Sequence, residues 1–103
     1  LSRRKEFHAV LCGIGGIHPE NVYFQPPENL QMVYPCIRYE RSMQLGQNAD
    51  DRRYVNRQAY SVMIIDPDPD NPAIDGLAAM PLSTYDRHYT MNNLHHDVFY
   101  IYY

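Results

Sequence analysis

The sequence predicts an α+β domain: a mostly antiparallel sheet of four or five strands, with an N-terminal helix and a second short helix packed on it. Three observations predict it. Apolar residues recur at helical spacing near the start and once more in the second half. Elsewhere they alternate, or run in blocks of strand length. Prolines and glycines punctuate the chain between those blocks. With 103 residues, the chain holds one domain, 1–103, because either half would be too small for a good core. An apolar fraction of 45% with 20% charged residues supplies enough apolar matter for a packed core and argues against wholesale disorder.

The first element is a helix. Phe7, Val10, Leu11 and Ile14 fall on one helical face, and Ser2 is placed to cap it. Gly13, Gly15 and Gly16 end it in a turn. Val22-Tyr23-Phe24, bracketed by Pro19 and Pro26-Pro27, is a short strand. A second strand spans Tyr34 to Glu40, with Pro35 tolerated at its start or on an edge. The polar stretch Ser42 to Arg53 is a long loop. Tyr54 to Ile65 reads as the clearest strand, apolar on both faces at its end, as a central strand would be. Asp66-Pro67-Asp68-Pro69-Asp70 forbids regular structure. Asn71 caps a short helix from Pro72 to Met80, with Ile74, Leu77 and Ala78 inward. Leu82 to Tyr89 and Leu94 to Tyr103 form a hairpin turning at Thr90 to Asn93. In its last strand His95, Asp97, Phe99, Ile101 and Tyr103 share one face, and His96, Val98, Tyr100 and Tyr102 the other. Such a strand is either central in the sheet or covered by another subunit.

Candidate chemistry is sparse. The aspartate–proline run opens like a calcium loop. An EF-hand needs glycine at its sixth position and glutamate at its twelfth, and here those hold Asn71 and Leu77. His88, His95, His96 and Asp97 are the best metal-like cluster, yet neighbours along a strand point to opposite faces, so His95 and His96 do not converge on one ion. Gly13-Ile14-Gly15-Gly16 follows a helix and lacks the lysine of a phosphate loop. Cys12 and Cys36 sit in apolar contexts that favour inert thiols, and two cysteines do not make a disulfide framework. No catalytic residue, metal or cofactor emerges. No apolar run is long enough to span a membrane. The stretch after Arg3-Arg4-Lys5 is broken by Glu6 and His8 and makes a poor signal peptide. A net charge of −3 is unlike that of a dedicated nucleic-acid binder.

The sharper signals concern surfaces. Ten tyrosines stand against three phenylalanines and no tryptophan, and eight arginines against one lysine. That balance suits protein–protein contacts, because tyrosine offers a stiff body with a polar tip and arginine a planar fork of donors. A tyrosine-rich sheet gives the same composition. Residues 1–65 carry eight basic and six acidic side chains, and residues 66–103 one basic and six acidic, hence +2 and −5. A protomer so divided can meet its own copies head to tail. Arg52 and Arg53, with Arg41 and Arg57 nearby, cluster at the ends of the long loop. They are the candidate polar contacts, although a solvated loop base explains them equally. Tyr100, Tyr102 and Tyr103, on a terminal strand apolar on both faces, are the candidate aromatic contacts.

Laid end to end, several segments resemble the tail terminators of tailed bacteriophages, also called tail completion or head–tail joining proteins. They are Tyr34-Pro35-Cys36-Ile37; Tyr60-Ser61-Val62-Met63-Ile64-Ile65 running into the aspartate–proline loop; Leu77-Ala78-Ala79-Met80-Pro81; and Tyr85-Asp86-Arg87-His88-Tyr89 followed by Leu94-His95-His96-Asp97-Val98-Phe99. The resemblance implies a virion structural protein of the neck, assembled in the host cytoplasm, with no enzymatic activity. It implies a homo-oligomeric ring, commonly a hexamer, that caps the tail tube, stops its polymerisation and joins it to the head connector. Its partners would be sister copies, the tail tube protein, neck proteins and, in contractile tails, the sheath. DNA would only pass through the lumen, and acidic residues lining that lumen would repel its phosphates. Two other readings stand beside this one: another neck ring (a head-completion, stopper or collar protein) and a small metal-dependent enzyme using His88, His96 and Asp97.

Overall fold

The computed structural model describes residues 2–42 and 57–103. Its elements are α1 (Arg3–Cys12), a single 3-10 turn (Pro19–Asn21), β1 (Val22–Phe24), β2 (Cys36–Arg41), β3 (Ala59–Asp66), α2 (Ala73–Ala78), β4 (Ser83–Met91) and β5 (Leu94–Tyr102). Among the described residues five strands hydrogen-bond in the order β1-β2-β3-β5-β4; β1 and β2 run parallel and the other three pairings are antiparallel. The architecture is the expected α+β one.

Both helices cover the same face. The ladders set Ile37 opposite Ile64, Tyr39 opposite Val62, Val62 opposite Phe99 and Tyr60 opposite Ile101. Period-two alternation then puts all of these on one side, where they pack with Phe7 and Leu11 of α1 and Ala73 and Leu77 of α2. Phe7 is the hub. Its ring stacks on Tyr60 at 4.6 Å, tilts against Tyr103 at 5.0 Å and meets Tyr39 edge-on at 5.6 Å. Such pairs contribute about 0.5–1.5 kcal/mol each beyond the area they bury. Much of the tyrosine content is therefore core: Tyr39, Tyr60 and Tyr102 are buried.

Ser2 caps α1 as expected, its Oγ accepting from the Lys5 amide at 3.1 Å. Val10, expected on the inner face, is exposed. The helix buries only the narrow line of Phe7 and Leu11, four residues apart. In α2 the inward pair is Ala73 and Leu77, whereas Ala78 faces solvent. This helix also stops at Ala78, short of the expected Met80. Gly76 lets Ile14 approach it, since a Cβ there would lie 3.2 Å from the Ile14 side chain.

Three strand boundaries move. β2 starts at Cys36, after the proline that removes a ladder donor. β3 starts at Ala59; Arg57 and Gln58 precede it, and Tyr54–Asn56 lie outside the described residues. The expected loop Ser42 to Arg53 falls almost wholly outside them as well. The hairpin turn is tighter than expected. Only Asn92 and Asn93 separate β4 from β5, with φ of 54° and 63°, the backbone of a two-residue type I′ turn. β5 lies between β3 and β4, so the central placement is the correct alternative for this strand.

Candidate functional site

The strand order converts a division along the chain into a division across the molecule. Residues up to 65 supply α1, β1, β2 and β3, and residues from 66 onward supply α2, β4 and β5. The boundary runs between β3 and β5. One flank of the sheet thus carries the +2 balance and the other the −5. The segment 43–56 holds Arg52 and Arg53 with Asp50 and Asp51, so the difference does not depend on it.

At the basic flank Arg4 of α1 and Arg41 of β2 both lie over the Phe24 ring, at 4.6 and 5.2 Å. Each such contact at an exposed position is worth about 0.5–1 kcal/mol. His8 Nδ1 meets the Tyr39 hydroxyl at 2.6 Å. Burial, helped by the Arg4 charge, lowers the His8 pKa from 6.5, and burial raises that of Tyr39. The chain then crosses from β1 to the parallel β2. Such a connection must run back along the length of the strands, and this one does so without a helix. Within it Leu30, Val33 and Tyr34 are exposed, Val33 at 57%. The Val33 amide donates to the Tyr23 hydroxyl at 3.1 Å. Tyr23 pairs with Arg38, which points away from the helices, so the strap passes on the sheet face opposite the helices.

At the acidic flank β4 is the outer strand, and among the described residues it pairs only with β5. A bulge at Asp86 interrupts its ladder. Arg87 ion-pairs with Asp86 and lies 5.7 Å from the Tyr89 ring. On the helix side, the Tyr85 hydroxyl donates to Asp97 Oδ1 at 2.9 Å, and the Tyr85 ring meets Phe99 edge-on at 5.1 Å. His88 and His95 meet nitrogen to nitrogen at 3.0 Å, their rings stacked 5.2 Å apart with planes 22° from parallel. His96 is on the other face, stacked on Tyr89 at 4.6 Å, and its Nδ1–H donates to the Leu94 carbonyl at 3.0 Å. Burial lowers the His96 pKa from 6.5. The trio His88, His96 and Asp97 is thus split between two faces, and no group of three metal-ligating side chains converges among the described residues.

The aspartate–proline loop spends its oxygens on itself. Asp66 Oδ1 accepts from the Asp68 amide at 2.8 Å, and Asp68 Oδ1 from the Asp70 amide at 2.9 Å. Asp66 Oδ2 accepts from the Asn71 side chain. Asn71 Nδ2 also donates to the Gly16 carbonyl at 3.3 Å, and Asn71 Oδ1 accepts from the Ala73 amide at 2.8 Å. The expected helix cap is present, and the same side chain ties the turn after α1 to the start of α2. Sequence reasoning found the cap but not the tie, which depends on a residue 55 positions away. It also missed the strap. Its signal was there: residues 28–34 are free of proline, lie between Pro26-Pro27 and Pro35, and are rich in apolar side chains.

The structure sorts the expected contact residues into groups. Arg41 and Arg57 emerge at the same end of the sheet, because Arg41 pairs with Tyr60 and the Ser42 amide bonds to the Ala59 carbonyl. Arg52 and Arg53 lie outside the described residues. Tyr102 is buried, and half-buried Tyr103 packs on Phe7, so the cover these two need comes from within the chain. Tyr100 is half-buried on the face opposite the helices. Arg57 lines a cavity of about 220 Å³ with Met80, Pro81, Leu82, Tyr102 and Tyr103. Cys12 and Cys36 are both free, and burial pushes the Cys36 thiol up to about 12. No protein-family model, no curated protein and no solved structure matches this chain.

Proposed function

We propose that this chain is a structural subunit of a tailed-phage neck, a tail terminator that assembles as a ring on the end of the tail tube. The ring, a hexamer on the resemblance, stops tube growth and presents a surface to the head connector. One observation carries the reading: the two flanks of the sheet differ in charge balance, +2 against −5, and exposed apolar side chains lie at both. A ring needs two unlike, mutually complementary surfaces on every copy. The arginines and the exposed tyrosines supply side chains suited to them.

A reconstruction of the virion tests the reading. The expected result is density for this chain between tube and connector, with particles lacking it showing overlong tails or tails unable to join heads. Filled but leaking heads in its absence would instead mark a head-completion or stopper ring. Absence of the chain from particles would refute a neck role.

A further inference from the structure

We infer that the aspartate–proline loop of one copy seats in the cavity beside Tyr102 and Tyr103 of the next, with its aspartates against the arginines at the cavity's rim. The inference rests on the ring reading for its occupant, a second copy, and names the surfaces that meet. The register fixes where each surface lies. β2 ends, β3 begins and β5 ends at one end of the sheet, where Arg41 pairs with Tyr60 and Ala59 with Tyr102. Helix α1 starts at that end too, since Arg3 Nη1 donates to the Tyr103 carbonyl at 3.2 Å and Arg4 lies over Phe24. At the opposite end Cys36 pairs with Ile65 and Asp66 with His95. The aspartate–proline loop leaves β3 there. Charged side chains separate along this axis. Arg38 and Arg87 lie mid-strand, each ion-paired with a carboxylate of its own strand. The other described basic residues, Arg3, Arg4, Lys5, Arg41 and Arg57, are at the first end, where they outnumber Glu6 and Glu28. The opposite end holds Glu20, Asp66, Asp68, Asp70 and Asp75 and, among the described residues, no arginine or lysine.

The loop is a preformed knob. Pro67, Asp68, Pro69 and Asp70 are all exposed. The Asp66 and Asp68 side chains brace its backbone by accepting from the Asp68 and Asp70 amides, and its prolines have fixed φ. Little ordering is left to impose when it binds. The cavity of about 220 Å³ has Pro81, Leu82, Tyr102 and Tyr103 in its walls and the exposed Arg57 at its edge, with Arg3 held on the Tyr103 carbonyl. Aromatic-lined hollows take proline rings, and a guanidinium fork matches a carboxylate. The loop offers both groups in alternation. Contact between unlike ends brings opposite signs together, whereas like ends repel. A standard contact buries about 800 Å² per partner, about an eighth of the 6384 Å² surface. Four loop residues supply only part of that, so the other charged residues of the two ends form its polar rim. Because knob and cavity sit at opposite ends, each copy can hold one neighbour through each.

The test reverses the charges of the full chain one surface at a time. The rim variant carries Arg3→Glu with Arg57→Glu, and the knob variant Asp68→Lys with Asp70→Lys. Light scattering up to about 1 mM reads their size, and circular dichroism checks folding. Wild type is expected to form oligomers and each variant alone to stay monomeric. A chain with all four substitutions should assemble again, because knob and rim have exchanged signs together. A single Asp70→Lys variant, which keeps the Asp66 and Asp68 side chains on the loop amides, should behave like the knob variant. Wild type that stays monomeric throughout, a folded rim or knob variant that assembles like wild type, or a folded four-substitution chain that remains monomeric would each overturn the inference. If the four-substitution chain assembles but the protein is missing from particles, the contact stands and the neck role fails. If the protein is in the neck and that chain stays monomeric, the reverse holds.

Discussion

Asn71 does the most at the scale of a single residue. Its amide joins Asp66, the Gly16 carbonyl and the Ala73 amide in a buried site. Asn71→Ala should lower stability by about 2–3 kcal/mol, the cost of lost bonds plus the buried groups left without partners. Gly16 has a φ of +98°, and a Cβ there would approach Asn71 Oδ1 to 2.4 Å. Gly16→Ala should therefore cost about 1–3 kcal/mol. Because both act on the same contact, the double variant should lose less than the two losses added. Urea unfolding of the four proteins measures this, and strict additivity would show that the tie is not shared. The cysteines give a second residue-scale expectation. Cys12 is half-buried, and Cys36 is buried with its thiol pushed up to about 12. A disulfide-exchange reagent should label Cys12 in the native protein and Cys36 only after denaturant is added. Two equivalents labelled at once in buffer would contradict the burial of Cys36.

The elements differ in how far they could be read ahead. The β4–β5 hairpin was legible because Asn92 and Asn93 tolerate positive φ and apolar residues flank them. Replacing Asn93 by glycine, which adopts this conformation without strain, should stabilise the hairpin by about 0.3–1 kcal/mol, read as a raised melting temperature. The inner line of α1 was half legible: spacing gave Phe7 and Leu11 but also Val10, since periodicity records an apolar stripe and not how much of it the sheet reaches. The start of β3 was misplaced for a related reason. Tyr54 and Val55 extend the apolar alternation in sequence, while among the described residues Arg57 and Gln58 precede the strand, which begins at Ala59. The strap was missed although its apolar residues stand out between Pro26-Pro27 and Pro35, because an apolar crossover with no helix in it has no period to mark it. His96 on β5 and His8 on α1 make folding pH-dependent. Both have folded pKa values below 6.5 through burial, so the unfolded chain binds protons more readily. Stability is then fully present above about pH 6.5 and falls as pH drops towards the folded pKa values. The urea midpoint should decrease between about pH 7.5 and about pH 5.5, and decrease less in a His8→Gln/His96→Gln variant. An unchanged dependence in that variant would assign it to other groups.

For the whole molecule, the arrangement that matters is that of charge. A charge difference visible in a residue count became meaningful only once the strand order placed each half on its own flank. The sign of each half was legible; its geometry was not, because the chain order of strands does not dictate their spatial order. Assembly that relies on opposed flanks should weaken with ionic strength. Raising salt from about 50 mM to about 500 mM should lower the oligomer fraction measured by sedimentation, and a salt-insensitive oligomer would point to an apolar contact alone. The long-range hold of Asn71 on the turn after α1 has a kinetic corollary. Because that side chain clasps segments from both halves of the domain, the Ala73 amide cannot swap its proton for deuterium through local fraying of α2 alone. It is expected to exchange as slowly as the amides of β3, making a six-residue helix at the periphery one of the last places where deuterium enters.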